Sequence, residues 1–357
     1  MAYRRKTWRE KPAGPKAAAD CSSNILDWLL EPENPSVRYY ALRDLAGRRA
    51  RPAEVRQARA AIMSRGPVPL ILAKQKPAGH WGRAEDFYIR TKYWGTVWTF
   101  FLLAELGADG RDERVRKACE FLFRWTQDRT SGAFAYRGSA SGGGQPSGVI
   151  PCLTGNIVWG LIRFGFLDDP RVQKAVDWIV RYTRFDDGEG PAPKGWPYDK
   201  REPCYGRHTC YFGVVKPLKA LAEIPPARRS AGVRRTIEQS VEFLLRHRLY
   251  KKSHDPTCVA KPIWAKLGFP LMWQTDALEM FDILTGLGVR DDRMEDAAEL
   301  IRSKRTEHGW WRLERTTPDR TIVSLEKVGR PSKWITLFAL RSLRRYGLLK
   351  DRPVPVP

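Results

Sequence analysis

The chain has 357 residues, of which 42% are hydrophobic and 11% aromatic, enough apolar surface for one large folded domain or two ordinary ones. This composition excludes a disordered or low-complexity chain. The formal charge of +23 favours phosphates on nucleic acid, an anionic surface or a diphosphate substrate as partners, although acidic residues accompany the basic ones in most predicted helices.

The two ends of the chain differ in composition from the region between them. Residues 1–20 are basic and rich in Pro and Ala, and residues 349–357 are rich in Pro, so we expect a flexible basic arm and a tail around one domain at 21–348. The first residues contain no apolar run typical of a secretory signal, and no stretch is apolar enough to span a membrane. The sequence therefore predicts a cytoplasmic protein, in which the six widely spaced cysteines are free thiols or metal ligands.

One short pattern recurs along the chain and predicts a series of amphipathic outer helices. It consists of D-x-R-V or a variant, followed by apolar residues three and four positions apart. The anchor residues of the pattern are Val55, Val115, Val172, Val233 and Met294, separated by 60, 57, 61 and 61 residues. A repeat of about 60 residues is therefore predicted.

A second, more apolar helix precedes each of these, and a threonine stands near its start. The threonines are Thr96, Thr154, Thr209, Thr275 and Thr336, separated by 58, 55, 66 and 61 residues. One further period back lies Val37, which gives six predicted inner helices. Residues 23–30 could supply a sixth outer helix beside the last inner one, so that the two ends meet. The sequence thus predicts an all-α toroid, (α/α)6, of six helix pairs.

Turns that combine glycine with an aromatic residue separate the helix pairs. They are Gly79-His-Trp81, Gly132-Ala-Phe134, Gly195-Trp196 and Gly309-Trp-Trp311. Glycine permits the positive φ that ends an outer helix, and the aromatic ring can pack over the next helix start. With Gln75 and Gln127 before them, the first two resemble the Gln-Trp motif of squalene and oxidosqualene cyclases.

This resemblance, over about residues 23–347, is to the superfamily of squalene cyclases and protein prenyltransferases. It implies an α/α toroid that binds an apolar, isoprenoid ligand in a central cavity, where the starts of the inner helices converge. The Gly-rich stretch at 138–148 lacks the residue order of a phosphate-binding loop, so we interpret it as a flexible connection.

A zinc site is one hypothesis for this cavity, because Cys204, His208 and Cys210 stand within seven residues. The string His208-Thr-Cys210-Tyr211 resembles one in prenyltransferase β subunits, which implies Cys210 as a zinc ligand. His208 stands where that family has aspartate, and Asp276 lies two positions beyond the place of its histidine. The predicted zinc ligands are therefore His208, Cys210 and Asp276. Cys258 and His254 offer an alternative site, and plain packing of the cysteines is a third interpretation.

The acid motifs with which cyclases protonate an alkene are absent from the sequence. Asp276 stands at a predicted helix start in an aromatic setting, three residues after Trp273, and with His208 it forms the candidate catalytic pair, although an aspartate there is also a typical helix cap. The paired Asp186 and Asp187 lie in a loop rich in Gly and Pro, where a role in a turn is favoured.

Aromatic and basic residues near the helix starts are candidates for substrate binding, because ring faces stabilise cations and basic groups bind diphosphate. The predicted binding residues are Tyr93, Trp94, Trp98, Tyr211, Trp273 and Arg207, with Lys92, Lys216 and Lys333 as further candidates for a diphosphate. An alternative function is a non-catalytic scaffold that binds a peptide, a glycan or nucleic acid through its basic surface. A polysaccharide-processing enzyme would need two cavity carboxylates, and only Asp276 qualifies.

Overall fold

The computed structural model describes residues 21–47, 50–317 and 320–349, with side chains from Ile25 onward. Within them the chain forms fourteen α-helices. They are α1 (Cys21–Leu29), α2 (Pro35–Asp44), α3 (Pro52–Ser64), α4 (Pro67–Leu72), α5 (Thr96–Glu105), α6 (Glu113–Trp125), α7 (Pro151–Arg163), α8 (Pro170–Tyr182), α9 (Glu202–Tyr205), α10 (Tyr211–Ala222), α11 (Ala231–Arg246), α12 (Ala277–Gly286), α13 (Glu295–Ser303) and α14 (Lys333–Tyr346). Two strands of two residues, β1 (Trp311–Arg312) and β2 (Pro331–Ser332), pair antiparallel. The predicted all-α fold class is confirmed.

The outer helices α6, α8 and α11 are amphipathic and begin at polar caps. The carboxylates of Asp112 and Asp169 accept the backbone N–H two residues further on, and the Ser230 hydroxyl accepts that of Val233. The anchors Val115 and Val172 are fully buried, which places the apolar stripe of each helix against the core.

The inner helices α2, α5, α7, α10, α12 and α14 are buried over most of their surface. Helices α7 and α10 contact each other most extensively, because a Cβ on Gly155 would lie 2.4 Å from the Pro217 backbone nitrogen. On the other side of α7, a Cβ on Gly160 would lie 2.4 Å from the Phe100 ring of α5. Two glycines thus set how closely three inner helices pack.

Three of the five threonines in register bind the turn that precedes their helix. The Thr96 hydroxyl accepts the Trp81 backbone N–H at 3.1 Å, and the Thr154 hydroxyl accepts that of Phe134 at 3.0 Å. Thr336 does the same for Trp311, also at 3.0 Å. Three of the repeats therefore share one hydrogen bond, whereas the Thr209 hydroxyl accepts the Asp187 backbone N–H and that of Thr275 forms no such bond in the described residues.

The glutamines of the Gln-Trp-like motif connect neighbouring repeats. The Gln75 amide donates to the carbonyl oxygens of Gly79 and Arg114, at 3.1 and 2.8 Å. Gln127 donates in the same way to Gly132 and Arg171, at 2.7 and 2.8 Å. Each amide therefore joins its own turn to the first residues of the next outer helix.

The inner helices follow one another around a ring. Helix α5 contacts α7, α7 contacts α10, α10 contacts α12, α12 contacts α14, and α14 returns to α2. Helix α4 follows α3 and contacts α5, which continues the ring from α2. Lys333 at the start of α14 forms an ion pair with Glu31 at 2.7 Å, and the Arg344 guanidinium donates to the Leu45 carbonyl oxygen, also at 2.7 Å. The amino-terminal and carboxy-terminal helices are therefore neighbours.

Three parts of the predicted organisation stay predictions. The basic arm at 1–20 and most of the tail lie outside the described residues, and the count of six repeats is not established by these contacts. None of the helices in the described ranges is long and apolar enough to cross a membrane.

Candidate functional site

The segments that precede the inner helices meet at one end of the ring, which we call the N-terminal face. It comprises residues 82–95, 135–150, 184–210, 250–276, 312–317 and 320–332. The Asn156 amide of α7 donates to the Met272 carbonyl oxygen at 3.3 Å, and the Trp196 indole donates to that of Pro146 at 3.1 Å. These bonds join segments that are distant in sequence into one surface.

The interior of the ring, on the carboxy-terminal side of the N-terminal face, contains a group of buried charges that we call the central ion network. The Lys216 ammonium lies 2.8 and 2.7 Å from the two carboxylate oxygens of Glu279, and Lys216 is completely buried. Lys219 bridges Glu279 at 3.1 Å and Glu105 at 2.5 Å. Since α10 and α5 are not neighbours in the ring, the pair between Lys219 and Glu105 crosses its interior.

The network extends to the carboxy-terminal ends of the inner helices. Arg163 of α7 pairs with Glu223 at 3.1 Å and donates to the Tyr40 hydroxyl of α2. Arg341 of α14 pairs with Asp282 and, at 3.2 Å, with Asp44. All six inner helices therefore contribute a polar side chain, and the ring is closed at this end by ion pairs.

The buried lysines and glutamates of the network stay ionised because they pair with each other. Burial alone would raise the pKa of Glu279, but Lys216 and Lys219 outweigh it and lower that pKa to about 2. Burial lowers the pKa of Lys216. An ammonium this deeply buried is stable only beside a carboxylate, so the two helices α10 and α12 depend on each other.

The N-terminal face carries a second group, which we call the aromatic–lysine cluster. Its members are Tyr93, Tyr211, Phe212, Trp264 and Trp273, with Lys92 and Lys261. The Phe212 ring lies 5.1 Å from Trp273 and 5.9 Å from Trp264, between centroids. The cluster therefore joins the starts of α10 and α12 to the loop before α5.

Both lysines of the cluster lie over aromatic rings. The Lys92 ammonium is 5.1 Å from the Tyr93 centroid and 5.2 Å from that of Trp273. Lys261 lies 5.2 Å from Phe212 and 5.5 Å from Trp264. Within the part of the chain that the structure describes, neither forms an ion pair with a carboxylate, so their charges are balanced by ring faces and solvent alone.

Two indole N–H groups of the cluster have no acceptor in the described residues. They belong to Trp264, which is 2% exposed, and to Trp273, which is partly buried. A buried N–H without a partner is costly, and a ligand oxygen is one way to satisfy it. The cluster thus combines apolar surface, cations and free donors.

The predicted substrate-binding residues are only partly brought together. Tyr93, Tyr211 and Trp273 belong to the cluster. Trp98 is 1% exposed, stacks on Tyr88 at 4.5 Å and donates its indole N–H to the Tyr88 carbonyl oxygen at 2.8 Å, which is a packing role. Trp94 lies against Gly82 with 38% of its surface exposed.

Arg207 and His208 lie outside the cluster. Both are exposed, and His208 lies so close to Gly188 that a Cβ there would be 2.5 Å from the histidine Nδ1. The Arg207 carbonyl oxygen accepts a bond from Arg184 at 3.2 Å. The roles predicted for these two residues stay predictions.

Asp276 caps helix α12. One of its carboxylate oxygens accepts the Glu279 backbone N–H and the other accepts that of Gly268, both at 2.8 Å. Burial raises the pKa of Asp276 to about 6, and the nearby negative charge of Glu279 acts in the same direction, while Arg315 at 3.9 Å opposes it. Its catalytic role stays a prediction beside this structural one.

The three side chains predicted to bind zinc are not brought together in the part of the chain that the structure describes. In the described ranges no three His, Cys, Asp or Glu side chains are grouped so that they could hold a metal ion. Both oxygens of Asp276 are already used by backbone N–H groups, and His208 points to Gly188. The same finding covers His254 and Cys258, and Cys258 is exposed. Zinc stays a prediction without support from this geometry.

The thiols of Cys152, Cys204 and Cys210 are near one another at the starts of α7 and α10. Burial raises the pKa of each, and for Cys152 the neighbouring Cys210 and Cys204 add to that effect. All three are free thiols. At neutral pH they are therefore protonated, which is the form that favours packing over metal binding.

The paired aspartates of the 184–190 loop have partners both in that loop and in distant segments. Asp186 is bound by Arg184 at 2.6 Å and accepts the Thr209 hydroxyl at 3.0 Å. Asp187 accepts the Ser253 hydroxyl at 2.6 Å and lies 3.2 Å from the His247 Nε2. The role in a turn stays a prediction for both aspartates.

Sequence reasoning assigned Lys216 and Lys333 to a diphosphate, and this assignment is wrong. Both are buried and paired, with Glu279 and Glu31 respectively. The signal for such a pair was present, because α10 and α12 are largely apolar and each contains only two charged residues, Lys216 with Lys219 and Glu279 with Asp282. A charge in a buried inner helix indicates a buried partner more often than a ligand.

We predict that the Asp276 carboxyl makes the protein less stable as the pH rises from about 4 to about 6. Its pKa is about 6 in the folded chain and 3.8 in the unfolded chain, so the folded state binds the extra proton in this window. The free energy of unfolding that it contributes should fall by about 3 kcal/mol, since one pKa unit corresponds to about 1.4 kcal/mol.

Urea unfolding of the natural chain and of Asp276→Asn at fixed pH values from 4 to 7 checks this. Asparagine also caps helices, so the variant should fold. The difference in unfolding free energy between the two should change by about 3 kcal/mol across the window. Glu279 titrates below it, near its pKa of about 2, and acts with the opposite sign. A difference independent of pH would contradict the raised pKa of Asp276.

Comparison with known proteins finds similar solved structures but no matching family. No protein-family model and no curated protein sequence matches the chain. Among solved structures it is similar to a protein from Actinoplanes (17% identity, 92% of this chain and 99% of that one, TM-score 0.41). It is also similar to the type II terpene cyclase MstE from Scytonema (16%, 88% and 87%, 0.41) and to a GH76 α-mannanase from Bacteroides thetaiotaomicron (11%, 70% and 68%, 0.39). TM-scores this low give no information on function.

Proposed function

We propose that the chain binds a ligand with an apolar body and an anionic end, of the isoprenoid class, at the aromatic–lysine cluster. The observation that carries this proposal is the pair of lysines, Lys92 and Lys261. Each lies between about 5.1 and 5.5 Å above two ring centroids and forms no ion pair in the described chain. An anionic group placed beside them would gain charge pairing without displacing a carboxylate.

The rings beneath the lysines suit the apolar part of such a ligand. Phe212 and Trp273 are only partly buried, so their faces can lose further contact with water. Burying apolar surface gains about 25 cal/mol per Å².

The central ion network limits where the ligand lies. Lys216, Lys219 and Glu279 fill the interior between α5, α10 and α12 and pair with one another. The ligand therefore lies on the N-terminal face and does not reach through the ring. No step of the proposal involves zinc, and proton transfer by Asp276 or His208 stays a prediction.

Isothermal titration calorimetry with farnesyl diphosphate tests the proposal. We expect saturable binding that is at least tenfold tighter than binding of pyrophosphate alone, because the rings contribute most of the affinity. Trp273→Ala should weaken binding by about tenfold or more, which corresponds to the loss of about 1.4 kcal/mol. Binding equal to that of pyrophosphate would contradict the role of the rings.

A second pair of variants tests the charges. The double variant Lys92→Met with Lys261→Met should remove the preference for farnesyl diphosphate over farnesol, since methionine keeps the apolar stem without the charge. Lys327→Met is the matched control, because Lys327 is exposed on the same face outside the cluster. If the control and the double variant lose the same fraction of affinity, the two lysines are not the anion site.

The alternative of a scaffold for peptide, glycan or nucleic acid stays a prediction. No contact in the described residues favours it over the cluster.

A further inference from the structure

Large exposed apolar side chains are concentrated at one end of the ring. Of the five in the described residues, Ile89, Trp94, Ile263 and Val328 belong to segments of the N-terminal face, with 38 to 53% of their surface exposed. The fifth, Leu348, follows α14 at the opposite end. Single exposed apolar residues are normal, but the presence of four of the five at one end makes this face the candidate interface.

Exposed cations accompany these residues. Lys252, Lys261 and Lys266 stand around Ile263, and Asp255 is the one carboxylate between Lys252 and Lys266. Arg90 stands beside Ile89 in the loop before α5. The three lysines and Arg90 form no ion pair with a carboxylate in the described chain. Exposed apolar side chains surrounded by unpaired cations are complementary to a partner that has an apolar interior and an anionic surface.

We propose that the N-terminal face docks on the surface of an anionic phospholipid membrane. Trp94 and the two isoleucines enter the boundary between headgroups and acyl chains, where tryptophan is enriched in membrane-associated proteins. The lysines and Arg90 stay at the level of the phosphates, which attract cations at short range. This inference shares Lys261 with the aromatic–lysine cluster, but Ile89, Trp94, Ile263 and Val328 are not members of it, and the variants that test the inference leave Lys261 unchanged.

The apolar component distinguishes a membrane from nucleic acid as the partner. Phosphates of either kind would attract the cations, and a base could stack on Trp94. The aliphatic side chains Ile89, Ile263 and Val328 offer nothing to a base edge or a phosphate, but they gain from contact with acyl chains. The exposed aliphatic residues therefore favour the membrane.

Sedimentation of the full chain with lipid vesicles tests the inference. We expect the chain to pellet with vesicles of phosphatidylcholine and phosphatidylglycerol, to stay in the supernatant with phosphatidylcholine alone, and to be released as salt is raised. Trp94→Ser with Ile263→Ser should weaken binding at least tenfold. Leu348→Ser is the matched control, with similar exposure at the opposite end, and should leave binding unchanged.

A second comparison separates the position of the charge from its total. Lys252→Glu with Lys266→Glu should weaken vesicle binding at least tenfold, whereas Arg56→Glu with Arg235→Glu, exposed on outer helices α3 and α11, changes the net charge equally and should have little effect. The inference is overturned if the chain ignores anionic vesicles at low salt, or if both charge variants lose the same affinity. It is also overturned if a DNA duplex binds more tightly than the vesicles and that binding needs Trp94 and Ile263. All variants change exposed side chains, and their melting temperatures confirm folding.

Discussion

Replacing Glu279 by glutamine is expected to lower the free energy of unfolding by about 3–5 kcal/mol, the usual cost of breaking a buried ion pair from one side. The change keeps the size of the side chain but removes its charge. Lys216, which is completely buried, then has no carboxylate partner, and Lys219 retains only Glu105. A buried ammonium without a partner must deprotonate or draw water into the core, and either event costs stability.

Two further variants make this prediction specific. Glu113→Gln removes an ion pair of the same type at the surface, with Lys117 at 2.8 Å, and should change the unfolding free energy by less than about 1 kcal/mol. The double variant Lys216→Met with Glu279→Leu removes both charges together and should recover most of the loss, because no isolated charge remains. Urea unfolding followed by circular dichroism measures all three. If Glu279→Gln costs no more than Glu113→Gln, the central ion network does not contribute as described.

Replacing Gly155 by alanine is expected to destabilise the protein by about 3 kcal/mol through overpacking. The added Cβ would lie 2.4 Å from the Pro217 nitrogen and 2.5 Å from the Lys216 carbonyl carbon, distances that force α7 and α10 apart. Backbone atoms of a packed helix cannot move aside as the end of a flexible side chain can. Alanine would otherwise favour the helix by about 1 kcal/mol over glycine, so a loss has the opposite sign to helix propensity.

Gly190→Ala is the control for this variant. Gly190 has no atom within 4 Å of its added Cβ and no positive φ, so the substitution should be close to neutral. The melting temperature of each variant is the measurement. An unchanged melting temperature for Gly155→Ala would mean that α7 and α10 are further apart than this packing implies.

The variants Gly155→Ala and Glu279→Gln affect the same contact, because Gly155 packs beside Lys216. Any shift of α10 away from α7 moves the Lys216 ammonium relative to Glu279. We therefore expect the effects of Gly155→Ala and Glu279→Gln to be non-additive when they are combined.

The helices were predictable from sequence because their signals repeat. The anchors Val115 and Val172 come after aspartate caps, and the register threonines Thr96 and Thr154 return at nearly constant spacing. A feature that occurs five times is visible against the background of a single sequence. The same repetition explains why the turns at Trp81 and Phe134 were recognised before their hydrogen bonds were known.

The candidate site was predictable only in part. The cluster members Tyr93, Tyr211 and Trp273 were found, because they stand next to helix starts. Phe212 and Lys261 play equal parts in the geometry, but Phe212 is one of many aromatic residues and Lys261 one of many cations. Which of them meet is decided by the path of loops 82–95 and 250–276, and periodicity does not determine a loop path.

The ion network escaped prediction for a related reason. Lys219 and Glu105 are 114 residues apart and meet across the ring, so no local pattern joins them. Lys216 in the apolar helix α10 was interpreted as a ligand group, whereas its carboxylate partner Glu279 lies on the neighbouring inner helix α12. Asp276 shows the converse, since its position at a helix start predicted both a cap and an acid, and only the cap is visible in its contacts.

The contact between the first and last inner helices differs from the other helix contacts of the ring. Where α14 packs on α2, and Lys333 pairs with Glu31, the ring has a seam that no peptide bond crosses, whereas every other neighbouring pair is tied covalently. Local opening should therefore begin at this contact, because only noncovalent interactions hold the two helices together there. By the same logic the fold does not require its present starting point. A circular permutation that joined the present ends of the chain and opened it at the glycine-rich segment 138–148 would keep every helix contact. It would only move the noncovalent junction to the contact between the inner helices on either side of that segment.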